Sequence, residues 1–364
     1  MKKYLYNLAT DKYKGIGPAI VKGFLFLISL IYGLVIRGLI FFCFLRQNRL
    51  NVKVISVGNI TVGGTGKTSL VEVIARYLKQ EGRKVAILTR GYKRKSIRYP
   101  CLAGRQALSA IRYETMGDEP YMLSKKLNDI PVIVDADRIR AAKRALKDYG
   151  VDTVMLDDGF QQWRLKKDLE IVTIDAVNPF GNRHMIPRGI LREPLSCLRR
   201  ADIFFLTKVD FGVKLDELKD ILSKINPKTL IAESVHKPIG LYNLEKSAEL
   251  FGTDILKDKR VSIFCGIGDP DSFENLIISL GAKIGLSFKF PDHHNYIKTD
   301  IDKIIKDSVD KGIDTIITTE KDAARLYASR FTPHASRILV LRIELTIIKN
   351  EQEFYNRLLG LYSF

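Results

Sequence analysis

The stretch VISVGNITVGGTGKTSL, residues 54–70, decides the reading of this chain. Val52 to Val57 is a short β-branched run that reads as a buried strand. Thr68 to Gln80 has helical spacing, with Leu70, Ile74 and Leu78 on one face and Gly82 as its stop. A glycine-rich turn therefore lies between a strand and a helix, the context that a phosphate-binding loop requires. Backbone N–H groups in such a turn can wrap phosphate oxygens, and the helix N-terminus adds partial positive charge. Thr61, Val62, Gly63, Gly64, Thr65, Gly66, Lys67 and Thr68 form the candidate cradle. Lys67 would reach the terminal phosphates, and the Thr68 hydroxyl would face a Mg²⁺ ion. Thr61 stands where the consensus loop has its first glycine. The alternative is a glycine-rich turn that binds nothing.

Outward from the loop, strand-like and helical stretches alternate. Lys84 to Thr89, Pro131 to Val134, Val151 to Leu156, Leu169 to Ile174 and Ile203 to Leu206 read as buried strands. Such alternation implies a mostly parallel sheet covered on both faces. After about Phe211 the pattern restarts more weakly, at Arg260 to Cys265, Lys283 to Phe288, Thr315 to Thr318 and Arg337 to Arg342. The expected fold is α/β: a P-loop NTPase-like parallel-sheet domain, a second, smaller α/β domain and an N-terminal membrane-associated helix. The expected division is 1–50, 51–212 and 213–364. The apolar strand before Asp157 and Asp158 delivers two carboxylates to the C-terminal sheet edge, where such folds bind ligands. Both are candidate Mg²⁺ ligands, since that ion takes hard oxygens. Thr207-Lys208-Val209-Asp210 resembles a guanine-reading element, but no switch motif of the GTPase type accompanies it.

The N-terminal stretch Ile16 to Leu45 is almost wholly apolar, yet Lys22 and Arg37 bracket only fourteen uncharged residues. A membrane-crossing helix needs roughly 20. Lys22, Ser29, Gly33 and Arg37 fall on one helical face as a narrow polar stripe. The expectation is a helix lying in a membrane interface, with the stripe toward headgroups or the protein body. Arg46, Arg49 and the N-terminal lysines flank it, as suits the cytoplasmic side of an anionic membrane. The chain has 364 residues, 46% hydrophobic and 27% charged, so it can bury real cores. Its four cysteines form no CxxC pair, which argues against a zinc site or disulfide framework. A formal charge of +18 calls for an anionic partner: nucleic acid, lipid or phosphorylated substrate.

Read in order, the blocks VGNITVGGTGKT (57–68), TRGY (89–92), GDEP (117–120), DDGFQ (157–161), FGN…P-R-G-I-LREP (180–194), DHH (292–294) and TEKD (319–322) resemble the tetraacyldisaccharide 4'-kinases of lipid A biosynthesis. Ser69 and Lys93 depart from the pattern, where proline and glycine are expected. The resemblance implies transfer of the ATP γ-phosphate, with Mg²⁺, to the 4'-hydroxyl of a tetraacyldisaccharide 1-phosphate, giving lipid IVA. It implies two α/β/α domains with the site between them, peripheral or monotopic at the cytoplasmic face of the bacterial inner membrane. It places Asp118 near the γ-phosphate as the base and His293, from the second domain, as its partner, ahead of His294. Lys67 and Asp158 complete the catalytic set. Glu193 joins Thr68, Asp157 and Asp158 as a candidate metal ligand; Tyr92, Arg138, Gln161 and Arg192 are candidate substrate residues. The implied partners are the lipid substrate and a membrane surface, without nucleic acid. Two other classes compete. A MinD-like ATPase switch would share the GGxGKT core and an amphipathic helix, but Val62 replaces its signature lysine before the glycines. A nucleic-acid-dependent ATPase has only the charge in its favour.

Overall fold

The computed structural model describes residues 8, 11, 13, 15–90, 101–103, 118–212, 214–245, 249–329 and 337–363. Tyr92 lies outside them, as does the side chain of Asp118. The chain divides into two compact units that do not follow the expected sequential boundary at 212. The first comprises Met1–Arg90, Leu127–Val235 and Leu345–Phe364; the second comprises Gly91–Lys126 and His236–Glu344.

In the first unit, strands β1 (Lys53–Gly58), β2 (Val85–Thr89), β3 (Val132–Val134), β4 (Thr153–Asp157), β5 (Leu169–Asp175), β6 (Ile203–Thr207) and β7 (Leu230–Asn243) build one sheet. Its order is β7-β6-β5-β1-β4-β2-β3. Every adjacent pair is parallel. β2, β4 and β6 are buried throughout, which is why they read as unbroken apolar runs. Each expected strand is present, shifted by a residue or two at its ends. β7 was not expected: its polar run Glu233, Ser234, His236 and Lys237, followed by Pro238, hides the apolar pattern.

Helix α1 (Ile16–Leu45) precedes the sheet, and α2 (Lys67–Gln80) follows the glycine-rich turn. The only buried residues of α1 are Ser29 and Gly33, both on the polar stripe. Its Phe, Leu and Ile side chains elsewhere are largely exposed. By length and composition it is long and apolar enough to cross a membrane.

In the second unit, helix α3 (Asp118–Lys126) opens the described part. Helix α4 (Arg138–Tyr149), by contrast, belongs to the first unit. The second unit's sheet contains β9 (Arg260–Cys265), β10 (Lys283–Lys289), β11 (Thr315–Thr319) and β12 (Ile338–Lys349), in the parallel order β10-β9-β11-β12. A short strand β8 (Leu250–Phe251) pairs antiparallel with the end of β7. Helix α5 (Leu215–Ile225) packs in the first unit, whereas α6 (Pro270–Ser279), α7 (Lys298–Asp310) and α8 (Glu320–Ser329) flank the second sheet. The last helix, α9 (Glu351–Leu359), returns to the first unit.

Candidate active site

The phosphate loop begins where β1 ends. Thr61 pairs antiparallel with Leu191, the Val62 N–H donates to the Ile190 carbonyl, and Arg192 N–H donates to the Ile60 carbonyl. The loop is thus stitched to the segment that carries Arg192. From below, the Thr173 hydroxyl donates to the Gly58 carbonyl, so the 2.7 Å contact between the Thr65 and Thr173 hydroxyls has Thr65 as donor. The Thr207 hydroxyl donates to the Thr65 carbonyl at 3.3 Å. Thr207 therefore braces the loop, and Lys208 pairs with Asp175 at 2.8 Å; the guanine-reader resemblance resolves into support for the cradle.

Gly66 has φ +77° and caps α2 without any side-chain hydrogen bond. That left-handed conformation suits glycine, and it leaves the first N–H groups of α2 without a side-chain cap. Gly63 and Gly64 have open space where a Cβ would stand. A Cβ on Gly58 would lie 2.4 Å from the Phe160 nitrogen, so only glycine lets the turn after β4 close against β1.

Asp157 is buried as the last residue of β4, and Asp158 follows in the left-handed region at φ +58°. This conformation costs a non-glycine residue energy and is common at functional turns. It brings the Asp158 carboxylate to 3.0 Å from Arg192 Nη1 through both oxygens, and to 3.6 Å from Lys67 Nζ. Burial raises the Asp158 pKa, but Lys67, Arg192 and Arg138 together outweigh it and hold the carboxyl below its usual range. Arg138 is pushed down to about 10, chiefly by burial, with Asp157 and Asp158 opposing the shift.

Several expected residues have other work. Arg138 is only 2% exposed and donates to the Asp135 carbonyl. It supports the two aspartates electrostatically and is too deep to grip a lipid phosphate. Glu193, expected on a metal, is wholly buried; it accepts from Gln161 at 3.1 Å and Trp163 Nε1 at 3.0 Å, and pairs with Arg200 at 2.8 Å. Gln161, expected on substrate, also donates to the Asn59 carbonyl and accepts from Arg192. Glu193 and Gln161 thus form a bracket that orients Arg192. Asn59 escaped the sequence reading: it is fully buried beside the loop, and both polar atoms of its amide lack partners. Its place directly before the loop was the available signal.

In the second unit, the His293 N–H donates to the Gly266 carbonyl, and the residue sits at φ +61°. Its imidazole is part-exposed, with Nδ1 3.3 Å from Arg325 Nη2 and Nε2 3.8 Å from Asp292. His294 differs: its Nε2 is 2.8 Å from Asp300, and its ring stacks on Phe290. Asp118 begins α3 and falls in this same unit, so the expected acid–histidine pair is not drawn from two units.

A braced loop at a helix N-terminus, with a lysine and an acidic turn beside it, is built to hold a polyphosphate. That makes this a P-loop nucleotide-binding protein. The family model for tetraacyldisaccharide-1-P 4'-kinase (LpxK) matches residues 21–362. A tetraacyldisaccharide 4'-kinase of Halothermothrix orenii is 38% identical over 366 residues, spanning 95% of this chain and 94% of that protein. One from Elusimicrobium minutum is 37% identical over 315 residues, spanning 85% and 82%. The crystal structure of LpxK from Aquifex aeolicus in complex with ATP matches with a TM-score of 0.75 at 29% identity, over 94% of this chain and 100% of that one. The chain belongs to the tetraacyldisaccharide-1-P 4'-kinase family.

Proposed function

We propose that this protein transfers the γ-phosphoryl group of ATP to the 4'-hydroxyl of a tetraacyldisaccharide 1-phosphate, working at the cytoplasmic face of a membrane. The observation that carries the reading is the glycine-capped N-terminus of α2 beside Lys67, in a chain matched to the kinase family over residues 21–362. Loop N–H groups and Lys67 hold the phosphates. Arg192, oriented by Gln161 and Asp158, stands beside Lys67 as a second cation for charge that develops during transfer. Asp118 accepts the proton of the sugar hydroxyl as its oxygen bonds to phosphorus, and ADP departs. His293 pairs with that carboxylate.

Mg²⁺ would find Thr68, Asp157 and Asp158, hard oxygen donors beside the phosphate loop, and would neutralise phosphate charge there. Among the described residues no cluster of three or more His, Cys, Asp or Glu suits a metal, which fits an ion held mainly by phosphate and water. The exposed apolar face of α1 supports docking on a lipid surface, and the +18 charge supports an anionic one, rather than nucleic acid.

The test is incubation with labelled ATP, Mg²⁺ and detergent-solubilised tetraacyldisaccharide 1-phosphate. Label should appear in the lipid only when acceptor is present. Label confined to inorganic phosphate would overturn the kinase reading.

A further inference from the structure

Asp322 and Arg325, one turn apart on α8, are almost completely buried as an ion pair at 2.9 Å. Stability alone is a weak reason to bury such a pair, because apolar residues of similar volume commonly do as well or better. What the pair holds is specific. The Asp322 Oδ1 accepts from the Gly266 N–H at 3.0 Å, the Tyr296 hydroxyl at 2.9 Å and Arg325 Nη1; its Oδ2 accepts from the Thr319 hydroxyl at 2.6 Å. Arg325 Nη1 also donates to the Gly266 carbonyl at 2.8 Å, the same carbonyl that receives the His293 N–H. Acid and base thus clasp Gly266 from its two sides, and His293 hangs from the clasp by its backbone. Arg325 Nη2 then reaches the His293 ring itself, at 3.3 Å from Nδ1.

That last contact has a chemical consequence. A guanidinium has donors and no acceptor, so it can hydrogen-bond Nδ1 only if Nδ1 presents a lone pair. In the neutral ring the single proton must then sit on Nε2. A ring so fixed has no lone pair left to take a proton from substrate; it can only donate through Nε2.

We propose that Arg325, gripped by Asp322, is a positioning residue that fixes His293 as the Nε2–H tautomer, so that His293 serves the reaction as a hydrogen-bond donor and never as its base. The inference rests on the phosphotransfer reading of His293 given above. In the transfer step the hydroxyl proton passes to the Asp118 carboxylate while the new O–P bond forms, the bond from the γ-phosphorus to its bridging oxygen breaks, and the electron pair leaves with ADP. His293 keeps its proton throughout.

The test uses full-length protein in detergent, labelled with ¹⁵N-histidine; the chain has only five histidines, and His293→Ala identifies the signal. At a pH where the ring is neutral, a pyridine-like Nδ1 and a pyrrole-like Nε2 are expected. In Arg325→Gln the ring should lose that fixed tautomer. Turnover should fall about 10²-fold, the loss typical of a misplaced catalytic group, with KM for ATP unchanged. Lysine is no substitute for a planar fork, so Arg325→Lys should share the defect. The wild-type spectrum needs no folded variant: a proton found on Nδ1 overturns the proposal, whatever the variants do. Wild-type turnover by Arg325→Gln also overturns it. Full activity of His293→Ala would instead overturn the reading beneath it, so the two failures are distinguishable.

Discussion

Lys67 and Asp158 show how much of this site is a balance among single charges. Lys67 Nζ stands 3.6 Å from Asp158, beyond a hydrogen bond, and so keeps its donors available for phosphate. Lys67→Ala is expected to lower turnover about 10²–10³-fold and to weaken nucleotide binding with it, as loss of one preorganised donor does; steady-state kinetics and nucleotide titration measure both. Asp118→Ala should lower turnover about 10²–10⁴-fold with ATP affinity retained; lost affinity in the same titration would move Asp118 out of the base's role. Asp158 makes a prediction about pH. Burial opposes its ionisation but the surrounding cations prevail, so its folded pKa lies below the ordinary 3.8. A depressed carboxyl contributes stability that is full above the unfolded value and is lost as pH falls through the folded one. Wild type should therefore unfold at a higher temperature than Asp158→Asn near neutrality, with the gap closing below about pH 4 as the carboxyl takes up its proton. The loop residues and the two aspartates were legible because their chemistry is local: glycines, lysine and acids at fixed offsets from a strand. The work of Glu193, Gln161 and Arg138 was not, because a charged side chain looks the same in sequence whether it meets solvent, metal or a buried partner.

At the scale of elements, α1 is both a lipid-facing surface and a strut. The Tyr32 hydroxyl donates to the Arg192 carbonyl at 2.9 Å, and Phe26 meets His184 edge to face at 5.4 Å. Gly33 lies against Met185, where a Cβ would approach the Met185 Cε to 2.2 Å. The helix thus rests on the strand-like segment that also pins the phosphate loop. The stripe of Lys22, Ser29, Gly33 and Arg37 was readable from spacing alone; its seat was not, because nothing in residues 16–45 names residues 183–196. Gly33→Leu should force the two apart at a cost of about 1–3 kcal/mol, as overpacking does, and lower the unfolding midpoint. Flotation with anionic vesicles should be unchanged, since the apolar face is untouched. Loss of flotation in this variant would mean that the docked stripe, rather than the exposed face, meets lipid. The strands followed the same logic: short apolar runs buried on both faces announced themselves, and β7, interrupted by polar residues and Pro238, did not.

At the scale of the whole molecule, the order of the chain and the order of the fold part company. Residues 91–126 leave the first unit, and the last twenty, Leu345–Phe364, rejoin it. Sequence periodicity could recover two α/β patterns but not this exchange, because local spacing carries no record of which sheet a helix will cover. The return has an energetic anchor in α9. Phe354 is fully buried and meets Phe205 of β6 at 5.3 Å between ring centroids; Tyr355 lies 4.1 Å from Tyr77 of α2. The C-terminal helix therefore packs on the same helix whose N-terminus forms the phosphate cradle. Phe354→Ala removes a large side chain from a filled site and should cost about 3–5 kcal/mol, part of it from the cavity left behind. The Gly66 cap and Lys67 lie at the other end of α2, so the cost should appear as loss of the folded first unit rather than as altered chemistry in molecules that remain folded. Thermal unfolding with and without ATP should show a lowered midpoint that nucleotide partly restores, because a ligand bound only by the folded state stabilises it by mass action. A variant with an unchanged midpoint would show that α9 is not needed to complete the unit.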